Sequence, residues 1–219
     1  MFREGSPMPE QTPSGAPAPD RFQGDADDVL ALIGEFPLAW VTPRHPGSAE
    51  LATLLPLLAQ VDETGQLVSL LGHMARRNPL HAALEASPTA MILFTGPQAY
   101  VSPGLVSTKT WAPTWNYAQV RIEAEIQFRP DLGHEALDRL TRVMDADDRT
   151  GWSPRDVGPR YEAMEQAIIA FEARITGLSA RFKLGQDEAE PTLRELLARH
   201  PDPVLTRWMR RMNQARLQV

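Results

Sequence analysis

Hydrophobic and polar positions change period several times along the chain, and each change marks an element. From Ala26 to Glu35 the apolar residues Val29, Leu30 and Ile33 recur at helical spacing, behind a start rich in acids at Asp25, Asp27 and Asp28. Acids there complement the positive end of a helix dipole, so the pattern predicts a short amphipathic helix. Short apolar segments follow at Leu38 to Thr42, Leu51 to Ala59, Leu67 to Leu71 and Thr89 to Phe94, with turn residues at Pro43 to Ser48 and Asp62 to Gly65. They pair most simply as antiparallel strands. The clearest strand runs from Val120 to Phe128. There Val120, Ile122, Ala124, Ile126 and Phe128 alternate with Arg121, Glu123, Glu125 and Gln127, giving one buried and one wet face. Helical spacing returns over 135–146 and 160–170, on either side of a turn-rich segment from Asp147 to Pro159. A strand pair turning near Gly177 is expected from Phe171 to Leu184, and the tail from Thr192 reads as helical with a break around Pro201 and Pro203. Together these elements predict a mainly β fold with peripheral helices, a small barrel with helical additions.

Composition narrows the picture. The length of 219 residues suits one domain with a substantial core, or at most two small ones. Pro7, Pro9, Pro13, Pro17 and Pro19 fall among small and polar residues, so residues 1–21 bury too little to offset their ordering entropy and are expected to form a disordered arm. Residues 22–190 then hold the barrel and 191–219 a helical extension. With no cysteine in the chain, disulfides, thiolate metal sites and cysteine nucleophiles are excluded. No apolar run reaches the roughly 18 residues a membrane span needs, and no signal layout opens the chain, so a cytoplasmic protein without membrane contact is expected. The net charge of −6 weighs against a surface that is basic throughout.

Two stretches carry candidate chemistry. In Leu70 to Leu84 an apolar strand passes through Gly72 and His73 into Arg76, Arg77 and Asn78, and a helix starts at Pro79. Guanidinium groups beside free N–H groups at a helix start suit a phosphate. The same residues also suit a solvated strand-to-helix turn. In Phe94 to Tyr117 a long irregular loop gathers Tyr100, Trp111, Trp115 and Tyr117 with Thr114 and Asn116, which suits a wall for a flat heteroaromatic ligand or the core of a dimer interface. The five histidines share no ligand spacing, no dinucleotide or Walker loop is present, and neither a metal site nor a catalytic side chain is assigned. Arg207, Arg210, Arg211 and Arg216 form an acid-free cluster that suits nucleic-acid phosphates or a solvated helix face.

At the same two stretches the chain resembles the PaiB family of FMN-binding negative transcriptional regulators. The shared runs are Gly72-His73-Met74-Ala75-Arg76 with Asn78-Pro79, then Gly96-Pro97 with Ala99-Tyr100 and Ser102-Pro103, then Pro113 to Tyr117, and Phe182 to Leu184. The resemblance extends over roughly residues 22 to 200. It implies an FMN-binding split β-barrel of the pyridoxamine-phosphate-oxidase type, a homodimer with FMN at the subunit interface, and DNA as a partner. It turns the phosphate reading of His73, Arg76 and Asn78 into cofactor contacts, with Arg77 joined to them by that phosphate reading alone, and places further contacts at Tyr100, Trp115, Asn116 and Lys183. The alternative is a flavin-dependent oxidoreductase of the same superfamily. Three departures stand out: Thr53-Leu54-Leu55-Pro56 lacks the usual histidine, Gly104-Leu105-Val106 replaces Ser-Trp-Tyr, and Gly185-Gln186-Asp187 replaces Ser-Gln-Asn.

Overall fold

The chain opens with helix α1, Ala26–Glu35, whose start is locked by a capping box between Asp25 and Asp28. Six strands follow, with helices between and after them: β1 (Leu38–Pro43), β2 (Thr53–Val61), β3 (Leu67–Ala75), α2 (Pro79–Ala86), β4 (Thr89–Val101), β5 (Thr114–Phe128), α3 (Gly133–Met144), α4 (Arg160–Gln166), β6 (Ile168–Lys183), α5 (Glu190–Arg199), α6 (Pro203–Met212) and α7 (Gln214–Leu217). The computed structural model describes residues 20–45, 51–146 and 151–218. The expected N-terminal arm lies almost wholly outside them, as do parts of the turns expected at Pro43 to Ser48 and Asp147 to Pro159.

All pairings are antiparallel, and the strands close into a barrel in the order β1-β2-β3-β6-β5-β4. Closure leaves no free sheet edge. The interior is filled by alternate residues such as Val41, Leu57, Leu70, Ile92, Phe94, Val120, Ile122 and Phe171, each fully buried. Near the barrel wall Gly72 is required by space rather than by backbone angle. A Cβ there would lie 2.3 Å from Leu57 Cδ2 and 2.8 Å from Phe171 Cζ.

The structure corrects the sequence pattern in three places. The segment from Phe171 to Leu184 is not a hairpin, because β6 runs unbroken through Gly177. Glu123 faces Gly177 and Ala124 faces Ile175, so Thr176 is an extra residue in a bulge, and glycine marks that bulge rather than a turn. The helix expected over 160–170 stops at Gln166, and the β-branched pair Ile168-Ile169 starts β6. Finally, most of the loop expected from Phe94 to Tyr117 is strand. The Gly96-Pro97 pair, which interrupts the alternation, sits in a register shift between Thr95 and Gln98, and the hairpin continues to Val101 and back from Thr114.

Helices α5 and α6 close the barrel end at which β4, β5 and β6 project furthest. Leu193, Leu196, Leu205, Trp208 and Met209 are buried in the same core as the barrel interior. The Trp208 ring stacks on Phe182 at 5.9 Å and 13°, and its Nε1 donates to Glu35 at 3.1 Å. Gly72→Ala is expected to lower the unfolding free energy by about 1–3 kcal/mol through overpacking. Urea denaturation checks this, and an unchanged midpoint would show that Leu57 and Phe171 yield to the added methyl.

Candidate cofactor site

The β3–α2 turn is built by its own backbone. Asn78 N–H donates to the Ala75 carbonyl at 2.9 Å, Arg76 N–H to the Ala167 carbonyl at 2.9 Å, and His81 Nδ1 meets the Arg76 carbonyl at 3.1 Å. Asn78 is the N-cap of α2, as its sequence position suggests, and accepts from Leu80 N–H at 3.0 Å. His81 N–H is taken by the Asn78 carbonyl, and Pro79 has no N–H. The helix start therefore offers fewer free donors than the sequence pattern promises. The donors that remain are the guanidinium groups. Arg76 and Arg77 are exposed, and neither forms an ion pair among the described residues; Arg76 Nε donates only to the Gln166 carbonyl at 3.0 Å. Arg76 also borders a cleft of about 290 Å³ shared with Pro130, Gly133, Glu162, Glu165 and Gln166.

Beside this turn lies a surface that the sequence reading missed. Alternation along β1 places Ala39 and Val41 inside the barrel and leaves Leu38 and Trp40 outside, 52% and 43% exposed. Register sets Leu38 beside Pro56 and Trp40 beside Leu54 on β2, and Trp40 beside Leu93 on β4. Leu57 pairs with Gly72, and alternation from that pair puts Leu54 and Pro56 on the outer face of β2 and His73 and Ala75 on the outer face of β3. The outer face of β4, β1, β2 and β3 thus carries an apolar strip that leads to Arg76 and Arg77. The next part of that face is already covered, since α3 packs Ala136 over Leu71 and Ala170. His73 stands between the covered and the open part, half-buried and without a hydrogen bond among the described residues.

The other predicted contacts sit at the far end of β6. Tyr100 and Trp115 are cross-strand partners with ring centroids 6.0 Å apart, and they remain 49% and 57% exposed. Asn116 faces inward, is fully buried, and directs its amide at the Met209 sulfur at 3.6 Å. Lys183 donates to Thr114 Oγ1 at 2.5 Å and the Trp115 carbonyl at 3.1 Å. Trp111 donates to Glu188 at 2.8 Å, and Ser107 is bound through N–H and Oγ by Glu195 at 2.5 Å each. These contacts tie the 102–113 loop to the C-terminal helices. Within one copy the structure therefore gathers His73, Arg76, Arg77 and Asn78 at one end of the barrel, where Ala75 pairs with Ile168. Tyr100, Trp115, Asn116 and Lys183 gather where Lys183 pairs with Tyr117. The two groups lie at opposite ends of β6, a strand of 16 residues, about 50 Å of contour at ~3.3 Å per residue.

The basic tail is occupied internally. Arg207 forks onto Glu35, Arg211 Nε donates to the nearly buried Asp28 at 2.6 Å, Arg210 donates to the Leu197 carbonyl, and Arg216 donates to the carbonyls of Gly185, Gln186 and Glu188. Among the described residues no group of histidine and acidic side chains is arranged to hold a metal ion, and no helix is long and apolar enough to cross a membrane.

A closed antiparallel barrel of six strands with flanking helices is the fold class, and the family match gives it a ligand. Residues 18–177 match the family FMN_bind_2, described as "Putative FMN-binding domain", and the chain belongs to that family. It is 26% identical over 170 residues to the protease synthase and sporulation protein PAI 2 of Bacillus subtilis (strain 168), covering 76% of this chain and 79% of that protein. The PaiB resemblance is borne out by both matches. The fold is shared with the FAD- and heme-binding protein of Mycobacterium smegmatis, at a TM-score of 0.55 and 16% identity over 82% of this chain and 80% of that one. It is shared also with the flavocytochrome Anf3 of Azotobacter vinelandii, at a TM-score of 0.54 and 16% identity over 74% and 68%. FMN is the cofactor of this domain, and the residues present fit it. Arg76 and Arg77 offer unspent charge to a phosphate dianion, and the strip beside them offers apolar area to a flat ring.

Burial lowers the pKa of His73 from its ordinary 6.5, so the folded chain holds this ring neutral. The unfolded chain takes up the proton at higher pH than the folded one, and stability falls as pH drops through about 6.5 towards the folded value. His73→Gln is expected to narrow the gap between urea midpoints measured at about pH 7.5 and about pH 5.5. A gap of unchanged width would assign the acid sensitivity to other groups.

Proposed function

We propose that the chain is a PaiB-like regulator that works as a homodimer in the cytoplasm, holding FMN between the arginine turn of one copy and the exposed aromatic end of the other. The observation that carries this reading is the separation of the two groups of contacts along β6, since both groups reach one FMN only if they come from different copies. Twofold symmetry then gives two equivalent sites. Leu38, Trp40 and Leu54 on one face and Tyr100 with Trp115 at the far end are exposed apolar side chains that an interface between copies would cover, which supports the same assembly.

In this reading Arg76 and Arg77 hold the phosphate, Asn78 fixes the turn that presents them, and His73 with Pro56 lines the ribityl path. Tyr100 and Trp115 are offered to the partner copy, whereas Asn116 and Lys183 act through the fold, by anchoring the strands that present those rings. Bound FMN supplies one- and two-electron redox chemistry, and the protein supplies position and electrostatics. No side chain is assigned a catalytic role. DNA recognition draws on the PaiB likeness alone, because the tail arginines are occupied within the chain.

Arg76→Ala/Arg77→Ala is expected to weaken FMN by roughly ten- to a hundredfold, the loss of a charge-assisted hydrogen bond of about 1.5–3 kcal/mol. Riboflavin, which lacks the phosphate, is expected to bind the variant and the parent alike. Equal FMN affinity in both proteins, by flavin fluorescence titration, would remove these residues from the site. Light scattering is expected to give twice the chain mass of 24.3 kDa; a folded particle of single-chain mass would refute the shared site.

A further inference from the structure

We infer that Trp40, with Leu54 beside it, is the surface of this chain on which the flavin ring packs. The inference rests on the FMN reading above and names a residue that reading does not require. Trp40 is on the outside of β1, 43% exposed, with exposed Leu54 as its direct partner on β2 and half-buried Leu93 on β4. Its indole N–H has no hydrogen bond among the described residues, while those of Trp111 and Trp208 are spent on Glu188 and Glu35. The indole N–H of Trp40 is therefore unspent, and nearly half of the side chain faces solvent.

Charge narrows the choice of occupant. The outward residues Leu93, Trp40 and Leu54 carry no ionisable group; Arg121 of β5 flanks them beside Leu93, and the unpaired Arg76 and Arg77 follow the outward Ala75 of β3. From β3 to β1 is two strand spacings, about 10 Å along the sheet surface, a span that an extended ribityl phosphate covers. A neutral flat ring at one end and a dianion at the other match that layout, and an aromatic face against indole adds packing beyond simple area burial. The histidine that the PaiB pattern places at position 54 is leucine here. Cross-strand pairs act as units in a sheet, and Trp40 with Leu54 forms an apolar unit that can replace a polar contact by a stacking one.

The test is a titration of the full-length protein, freed of flavin, with FMN and with riboflavin, followed by flavin fluorescence and by light scattering. Trp40→Ala is expected to weaken both flavins by the same factor, about two- to tenfold, in contrast to the phosphate-selective loss at the arginines. Indole quenches an excited flavin by electron donation and phenyl does so less well. Bound flavin is therefore expected to be brighter in Trp40→Ala and in Trp40→Phe than in the parent, and Trp40→Phe carries the test if Trp40→Ala fails to fold. Unchanged affinity and unchanged quenching would overturn the inference and leave FMN binding at Arg76 and Arg77 standing. A fall to single-chain mass with flavin signals unaltered would make the strip a contact between copies and would also overturn it. A parent protein that binds neither flavin would overturn the FMN reading, and this inference with it.

Discussion

The structure depends on barrel closure, in which every strand is paired on both sides and β6, the longest, joins β3 to β5. The first part of β6 pairs with β3 from Ile168 to Arg174, and its longer part pairs with β5 from Phe171 to Lys183. Without it β3 and β5 would each present a row of unpaired backbone groups, and the apolar interior would open to water. The bulge at Thr176 lets the strand change direction between these two duties. Ion pairs from Arg129 to Glu172 at 2.5 Å and from Arg174 to Glu125 cross the β5–β6 seam. They lie at the surface, where such pairs contribute little, so the seam is held by its backbone ladder and by Phe171 and Ala173 beneath it.

Closure by β6 also explains why the two groups of candidate contacts lie apart. The same strand touches the arginine turn through Ile168 and the aromatic end through Lys183, so a rigid element holds the two groups apart. The aromatic end is rigid in turn because α5 and α6 pack beneath it. Glu188 and Glu195 spend their charge on Trp111 and Ser107 rather than on solvent, and hydrogen bonding to Ser107 holds the Glu195 carboxyl below its usual pKa. What remains open on each copy is a pair of aromatic rings at one end, and an apolar strip with unpaired guanidinium groups at the other.

Much of this was legible in the sequence where local chemistry decides the outcome. The alternation in β5, the acid-rich start of α1 and the Asn78-Pro79 helix start are each set within a few residues. Failures occurred where a glycine admitted two local readings. Gly177 and Gly96 looked like turn and loop residues, and only pairing with Glu123 in one case and close approach of Leu32 and Ala118 in the other shows that they sit inside strands. The strip around Trp40 escaped because alternation tells which residues of a strand share a face but not which strand lies beside it. Leu54 and Trp40 become neighbours only through register. The acid-free look of the tail misled for the same reason, since Glu35 and Asp28, the partners of Arg207 and Arg211, lie far away in sequence.

That last contact sets an order on how the molecule is made. Asp28 and Arg211 are 183 positions apart, and between them lie all six strands of the barrel. Contacts of such separation form late, because the entropy of closing the loop must be met before they stabilise anything. On the ribosome, α1 emerges early, its Leu32 side is covered once β4 and β5 have been made, and Asp28 and Glu35 wait for Arg211, Arg207 and Trp208 of α6. Any delay in translating the final helices therefore prolongs the exposure of Phe182 and the barrel end that Trp208 and Met209 cover in the finished protein.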